Sequence, residues 1–347
     1  MRWYKHLGIL GISALLMQCQ HKPEYENVPR VLPEAQVSIS GKVKGKETAK
    51  GTSLTLQVLR NNDQQTLKTD QAGAFQDTFK LKHPSFIQLV HQGQSSYGFV
   101  KPGDILHLTF NSGALPRTLT FSGNRPRPNN YLVNKQQLVD TLGPQTRQAQ
   151  NQWYTQEPEA FSAALDSLKG HYQQYYQDYF GQQLPSKAFD QLEQANINYH
   201  FYRQKKLYPG YYRRLKTGRY PDVSAEFEQY QEELSYKQAK LFAVPAYQQF
   251  VRSVVNQRAQ QRIEEKPDKA RSVVVKNTVE ATLPNDTLQA RVLSRFLFQF
   301  LKTNGPPSVQ GVLSYYRELP HSDAMMERLN AYLQRWKRIA EGQPAPE

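Results

Sequence analysis

The hydrophobic pattern of this chain changes period near residue 125, and that change sets what each part can fold into. Before it, apolar residues alternate or cluster in short runs: Val37 and Ile39, then Leu54, Leu56 and Val58, then Phe75, Phe79 and Leu81, then Ile105, Leu106, Leu108 and Phe110. Period two puts successive side chains on opposite faces of a strand, so one face of each run can be buried. Turn-forming clusters separate the runs: Gly41 to Gly45, Asn61-Asn62-Asp63, Asp70 to Gly73, Gly93, and Lys101-Pro102-Gly103-Asp104. Short strands at this spacing, about eight of them, predict a small antiparallel β-sandwich over residues 37–125.

After residue 125 the step becomes three or four. Phe161, Leu165, Leu168, Tyr172, Tyr175 and Tyr179 form one aromatic stripe. Leu293, Phe296, Leu297, Phe300 and Leu301 form another, and Leu329, Leu333, Trp336 and Ile339 a third. Such spacing lines one side of an α-helix. Prolines at 158, 185, 221, 245, 267, 284 and 306–307 punctuate the region and predict an irregular domain of roughly seven or eight helices over 126–341. The expected class is therefore α+β. A length of 347 residues with 38% hydrophobic content is enough for two such cores.

The N-terminus carries a different signal. Basic Arg2 and Lys5 precede an apolar stretch from Leu7 to Met17, followed by Cys19, the only cysteine of the chain. That stretch is too short for a bilayer core, which needs roughly 20 helical residues, and suits the core of a secretory signal. Leu16-Met17-Gln18-Cys19 resembles a bacterial lipobox, whose cysteine is lipidated, although Gln18 departs from the small residue that motif prefers. Residues 1–19 are thus expected to be a lipoprotein-like signal peptide and the polar residues 20–36 a tether. The expected location is the cell envelope, on the periplasmic side or as an outer-membrane lipoprotein, with Cys19 holding the membrane.

A lone cysteine also excludes an intrachain disulfide and a C-x-x-C redox pair. No zinc-protease helix, nucleophile elbow, Walker loop or dinucleotide fingerprint occurs. Glu232-Glu233 and Glu264-Glu265 are adjacent pairs that diverge around a helix, so neither shares a proton site. His83, His91 and His107 are expected on separate strands, mostly at the surface. No catalytic residue, metal or cofactor is expected.

The net charge of +14 points to acidic partners, but it is spread: 11 Lys and Arg against 5 Asp and Glu over 37–125, and 29 against 22 over 126–347. One segment stands out, Phe201 to Tyr220, with seven basic and six aromatic residues and no acid. Tyr202, Arg203, Lys205, Lys206, Tyr211, Tyr212, Arg213 and Arg214 form its candidate binding patch. The composition is that of a single-strand nucleic-acid surface. It is equally that of a helix end, a Pro209-Gly210 turn and a second short helix with its aromatics packed inward. The export signal argues against nucleic acid, and none is expected as a partner.

Several turns recur in one order: Thr69-Asp70-Gln71-Ala72-Gly73-Ala74-Phe75, Val100-Lys101-Pro102-Gly103-Asp104, Phe121-Ser122-Gly123-Asn124, and Asn129-Asn130-Tyr131-Leu132. In that order they resemble the N-terminal β-domain of exported bacterial lipoproteins of the TlpA/ResA type, which precedes a thioredoxin-like domain. Singly they are turns, so Asp70 and Asp104 are not proposed as catalytic. The final Gly342, Ala345 and Pro346 are similar to the G-x-x-A-P-x-F segment that opens such a domain, making 342–347 its expected start and the domain itself missing. The resemblance implies a non-catalytic anchoring and partner-binding region of an envelope thiol-disulfide oxidoreductase. The alternative is a complete envelope lipoprotein that binds a peptide or glycan; an envelope protein or peptide is the expected partner.

Overall fold

The period-two runs become strands. A computed structural model describes residues 35–45, 52–61, 63–144, 146–235, 238–321 and 323–340. Its strands are β1 (Ala35–Lys44), β2 (Ser53–Val58), β3 (Asp63–Lys68), β4 (Ala74–Leu81), β5 (Ser85–His91), β6 (Gln94–Val100), β7 (Ile105–Asn111) and β8 (Thr120–Gly123). They form two four-stranded sheets, β4-β1-β7-β8 and β3-β2-β5-β6. The inward rows meet in one core: Val37, Ile39 and Val43 from β1, Leu54, Leu56 and Val58 from β2, with Ile87, Leu89, Leu106, Leu108 and Phe110. Fully burying each such side chain contributes about 1.5–3 kcal/mol.

One pairing differs from an all-antiparallel sandwich. β1 and β7 run parallel, Ser38 opposite Ile105 through Lys44 opposite Asn111. The chain visits the second sheet twice between them, and that long crossover allows a parallel neighbour. Gly41 sits at the tightest point, because a Cβ there would collide with the Leu108 carbonyl of β7 and the Phe75 ring.

The turns are built as the sequence suggests. Asp70 Oδ1 accepts from the backbone N–H of Ala72 and Ala74, both at 2.8 Å, and Gly73 takes φ 78°. Asp104, 1% exposed, accepts from Lys101 N at 2.8 Å and pairs with Arg125 at 2.6 Å. His91 is buried, not a surface residue: it bonds the Ser53 carbonyl at 3.1 Å and Ser112 Oγ at 3.2 Å. His107 is paired with Ser40, and His83 lies in the β4–β5 turn instead of on a strand. The three histidines do not converge.

The helices are α1 (Leu115–Thr118), α2 (Pro126–Leu142), α3 (Arg147–Tyr154), α4 (Pro158–Phe180), α5 (Lys187–Tyr212), α6 (Ala225–Glu228), α7 (Pro245–Glu265), α8 (Arg271–Thr282), α9 (Asp286–Asn304), α10 (Gln310–Glu318) and α11 (Asp323–Ala340). Pro126, Pro158 and Pro245 stand in the first turn of their helices, where a missing N–H costs nothing. Pro209 behaves differently: α5 runs through it for 26 residues and continues into a π-turn at Arg213–Thr217. The expected Pro-Gly break does not occur. Pro209 deletes the bond to the Lys205 carbonyl, the following turn widens, and Gly218 at φ 69° ends it.

Helix α2 joins the two sheets to the helices. Asn129, fully buried, accepts from Phe99 N at 2.6 Å and donates to Phe99 O at 3.1 Å. Its neighbour Asn130 does the same for Phe121, accepting at 2.8 Å and donating at 3.0 Å. Phe99 lies on β6 and Phe121 on β8, the edge strands of the two sheets. Next in sequence, Tyr131 is ringed by Tyr175, Tyr176, Tyr179, Phe180 and Phe189 and donates to Glu193. Glu193 is fully buried and paired with Lys135.

The second sheet and the helices share one core. Leu59, Phe86 and Phe99 pack with Phe189, Leu192, Tyr247 and Phe250 in a single cluster. Phe86 and Phe99 are opposite each other in register, and Phe189 closes on Phe99 edge-to-face at 5.1 Å.

Candidate functional site

Two residues along β2, β5 and β6 from that apolar row, the same face of the sheet turns polar. Gln64 is opposite Gln57, Gln57 opposite Gln88, and Gln88 opposite Tyr97, one row across β3, β2, β5 and β6. Side chains at i and i+2 share a face, so the row is open toward the helices. The helices do not fill the space above it. A cavity of about 390 Å³ remains, bounded by Gln57, Gln88 and Tyr97 below and by α7 and α9 above. That is within the usual size of small-molecule sites, roughly 300–1,000 Å³.

The roof is cationic and amide-rich. Helix α7 contributes Gln248, Gln249, Arg252, Ser253 and Asn256, α9 contributes Arg295, Phe296 and Gln299, and α5 contributes Arg203. Gln248 fixes the roof to the floor, donating to Leu59 O at 2.8 Å and Phe242 O at 2.6 Å. Arg252 Nε donates to Gln248 O at 3.0 Å, and Arg203 Nε donates to Ser253 Oγ at 3.2 Å. Their remaining guanidinium donors are uncommitted to acids: among the described residues no carboxylate forms an ion pair with Arg203, Arg252, Arg295 or Arg328.

The electrostatics follow from that composition. Burial first, then the neighbouring Arg295, pushes the Arg252 guanidinium down to about 10. Burial also raises the Tyr97 phenol, against the pull of Arg252 and Arg295. Burial, then Lys135 and Arg203, holds His200 down at about 4. Like charges gathered in a partly dry cleft cost the fold stability, and a bound anion offsets that cost.

A second cavity of about 180 Å³ adjoins the first through Gln57, Gln248, Arg252 and Arg295, and adds Gln64, Arg291, Phe298 and Arg328. Arg291 lies over the Phe242 ring at 5.3 Å, and Arg328 over Phe298 at 4.5 Å. Among the described residues, neither cavity is lined by an Asp or Glu.

Of the candidate patch read from the sequence, Arg203 alone reaches this cleft. Tyr202 is buried, stacked on Tyr230 at 5.7 Å. Lys205 lies 3.7 Å from Asp166, and burial lowers the Lys206 ammonium. Tyr211 stacks on Tyr154 at 4.5 Å and carries Arg214 at 4.6 Å on its other contacts. Tyr212 donates to Glu157 at 3.1 Å, and Arg213 covers Tyr220 at 4.9 Å. The patch is not one surface, because a helix distributes consecutive residues around its axis. Cys19 lies outside the described residues.

No family model matches the chain, and no curated protein matches it. The cleft therefore has to be read from its own chemistry. Arg252, Arg291 and Arg295 were missed by composition because each sits alone among apolar or amide neighbours. A usable signal existed: Gln248, Arg252 and Asn256 step by four, as do Arg291, Arg295 and Gln299, marking a polar stripe on helices whose other faces are core.

Proposed function

We propose that this chain is a non-catalytic binding module of the cell envelope that holds an anionic ligand in the arginine-lined cleft. The observation that carries it is the convergence of Arg203, Arg252 and Arg295, from three different helices, on one amide-floored cavity with no acid among the described residues of its lining. Guanidinium forks bind carboxylates and phosphates bidentately, and amides on a rigid sheet orient what they hold. The envelope location rests on the signal-like start and Cys19, and the role as front region to a thioredoxin-like domain rests on the order of turns. Both agree with a module whose work is to hold a partner.

Thermal melting in low salt with citrate and with inorganic phosphate tests the site. A ligand at 100 times its Kd stabilises by about 2.7 kcal/mol. A saturable upward shift with at least one anion is expected, and it should vanish in Arg252→Gln. No shift with either anion, or an unchanged shift in the variant, overturns the reading. Radiolabelled palmitate in a bacterial host tests the anchor: label is expected in the full chain and lost in Cys19→Ala.

A further inference from the structure

The cleft is longer than one small anion needs. The polar row crosses all four strands of its sheet, three inter-strand spacings of about 4.8 Å, or about 14 Å in all. Above it three cavities adjoin one another along the row, separated by side chains that line both neighbours. The 390 Å³ and 180 Å³ spaces share Gln57, Gln248, Arg252 and Arg295, and the second shares Gln64, Met325 and Arg328 with a third of about 640 Å³. This last space lies between β3 and α11, beside Tyr332 and Arg335, and its lining includes the acids Asp63 and Glu327. Along the groove the cations follow one another: Arg203, then Arg252 and Arg295, then Arg291 and Arg328, then Arg335.

We infer that the groove binds an extended acidic polysaccharide, with carboxylates on the arginines and sugar hydroxyls on the glutamine row. The inference rests on the anion-binding reading above and names the ligand class for the same cleft. Three observations favour a glycan over an acidic peptide. First, the groove runs across the strands, so a chain lying along it is perpendicular to them and cannot extend the ladder as an added peptide strand. Secondly, the β6 edge at Phe99, where a strand could add, is taken by Asn129. Thirdly, the floor is a row of side-chain amides, each a donor and an acceptor, which suits paired hydroxyls that themselves donate and accept. Tyr97 and Tyr332 line the two ends of the groove and add aromatic contact for sugar rings.

Calorimetric titration of the full chain in low salt with galacturonate and with its trimer and hexamer tests this. Maltohexaose is the neutral control and poly-glutamate the peptide control. Affinity is expected to rise at least tenfold from monomer to hexamer, with maltohexaose not binding and poly-glutamate at least tenfold weaker than the hexamer. Gln64→Ala, at an exposed position in the β3 end of the row, should weaken the hexamer several-fold and the monomer much less. Arg252→Gln should weaken every acidic sugar. Equal affinity for monomer and hexamer, with both lost in Arg252→Gln, overturns the extended ligand while leaving the anion site intact. Poly-glutamate binding as tightly as the hexamer overturns the glycan. Failure of all acidic sugars, together with no response to citrate or phosphate, overturns the site itself.

Discussion

Replacing Arg252 by glutamine should make the unliganded protein more stable while removing its ligand. Arg252 is held charged in a place that disfavours charge, its guanidinium pushed well below its ordinary value to about 10 by burial and then by Arg295. At about 1.36 kcal/mol per pH unit this corresponds to about 3 kcal/mol of cost to the folded state. Solvent reaching the half-buried side chain and water relaxation around it reduce that to about 2 kcal/mol. Against this stands the lost bond from Nε to the Gln248 carbonyl, worth about 1 kcal/mol. The expected net gain is about 1 kcal/mol, or about 1–2 °C in Tm for a chain of this size. Arg295→Gln removes only the second cause and should give a smaller gain. The assay is a melt of wild type and both variants at low salt, repeated at about 0.5 M salt, where screening should narrow the gap. With saturating acidic ligand the order should invert, wild type melting last. An apo variant less stable than wild type at every salt concentration refutes the reasoning, since the arginine would then be a net stabiliser and not a group kept for binding.

Other expectations follow from single contacts. Asn129→Ala strips both partners from a buried edge residue and should cost about 2–4 kcal/mol in urea unfolding, with an equal result from Asn129→Asp ruling out mere loss of volume. Gly41→Ala forces a Cβ against the Leu108 carbonyl and should cost about 3 kcal/mol or leave the protein insoluble; a loss under about 1 kcal/mol refutes the close approach of β1 and β7. His200 is kept at about 4 in the folded chain and returns to about 6.5 on unfolding, so it stays neutral when folded. The unfolded chain therefore binds the extra proton as pH falls, and stability is lost between about 6.5 and about 4. His200→Gln should flatten that limb by about 2 kcal/mol, seen as a smaller difference between urea midpoints at pH 7 and pH 4.5.

Much of the sandwich was legible because burial on one face leaves its mark as period two. The runs around Val37, Leu54, Phe75 and Ile105 became β1, β2, β4 and β7 with boundaries within a few residues. The stripe beginning at Phe161 became α4, although Tyr176 and Phe180 are its buried members and Tyr175 and Tyr179 lie at its margin. The fold class needed only these local patterns. What stayed hidden was relational. The Gln64–Gln57–Gln88–Tyr97 row exists only once the register of three strand pairs is known, and each member alone is an ordinary outward-facing residue. The arginines above it come from four helices far apart in the chain. Pro209 misled for a local reason: proline usually ends a helix, but the packing of Tyr208 and Tyr212 on either side holds this one in place.

The paired asparagines at the start of α2 have a consequence for how copies of the protein behave toward one another. A sheet edge is a template that a foreign strand can extend, and natural sheets guard it. Here one turn of helix guards two edges at once, each amide side chain occupying the donor and acceptor of one edge residue. Unwinding that turn would uncover β6 and β8 together, and the protein's protection against edge-to-edge self-association at this end of the sandwich therefore rests on two adjacent amides.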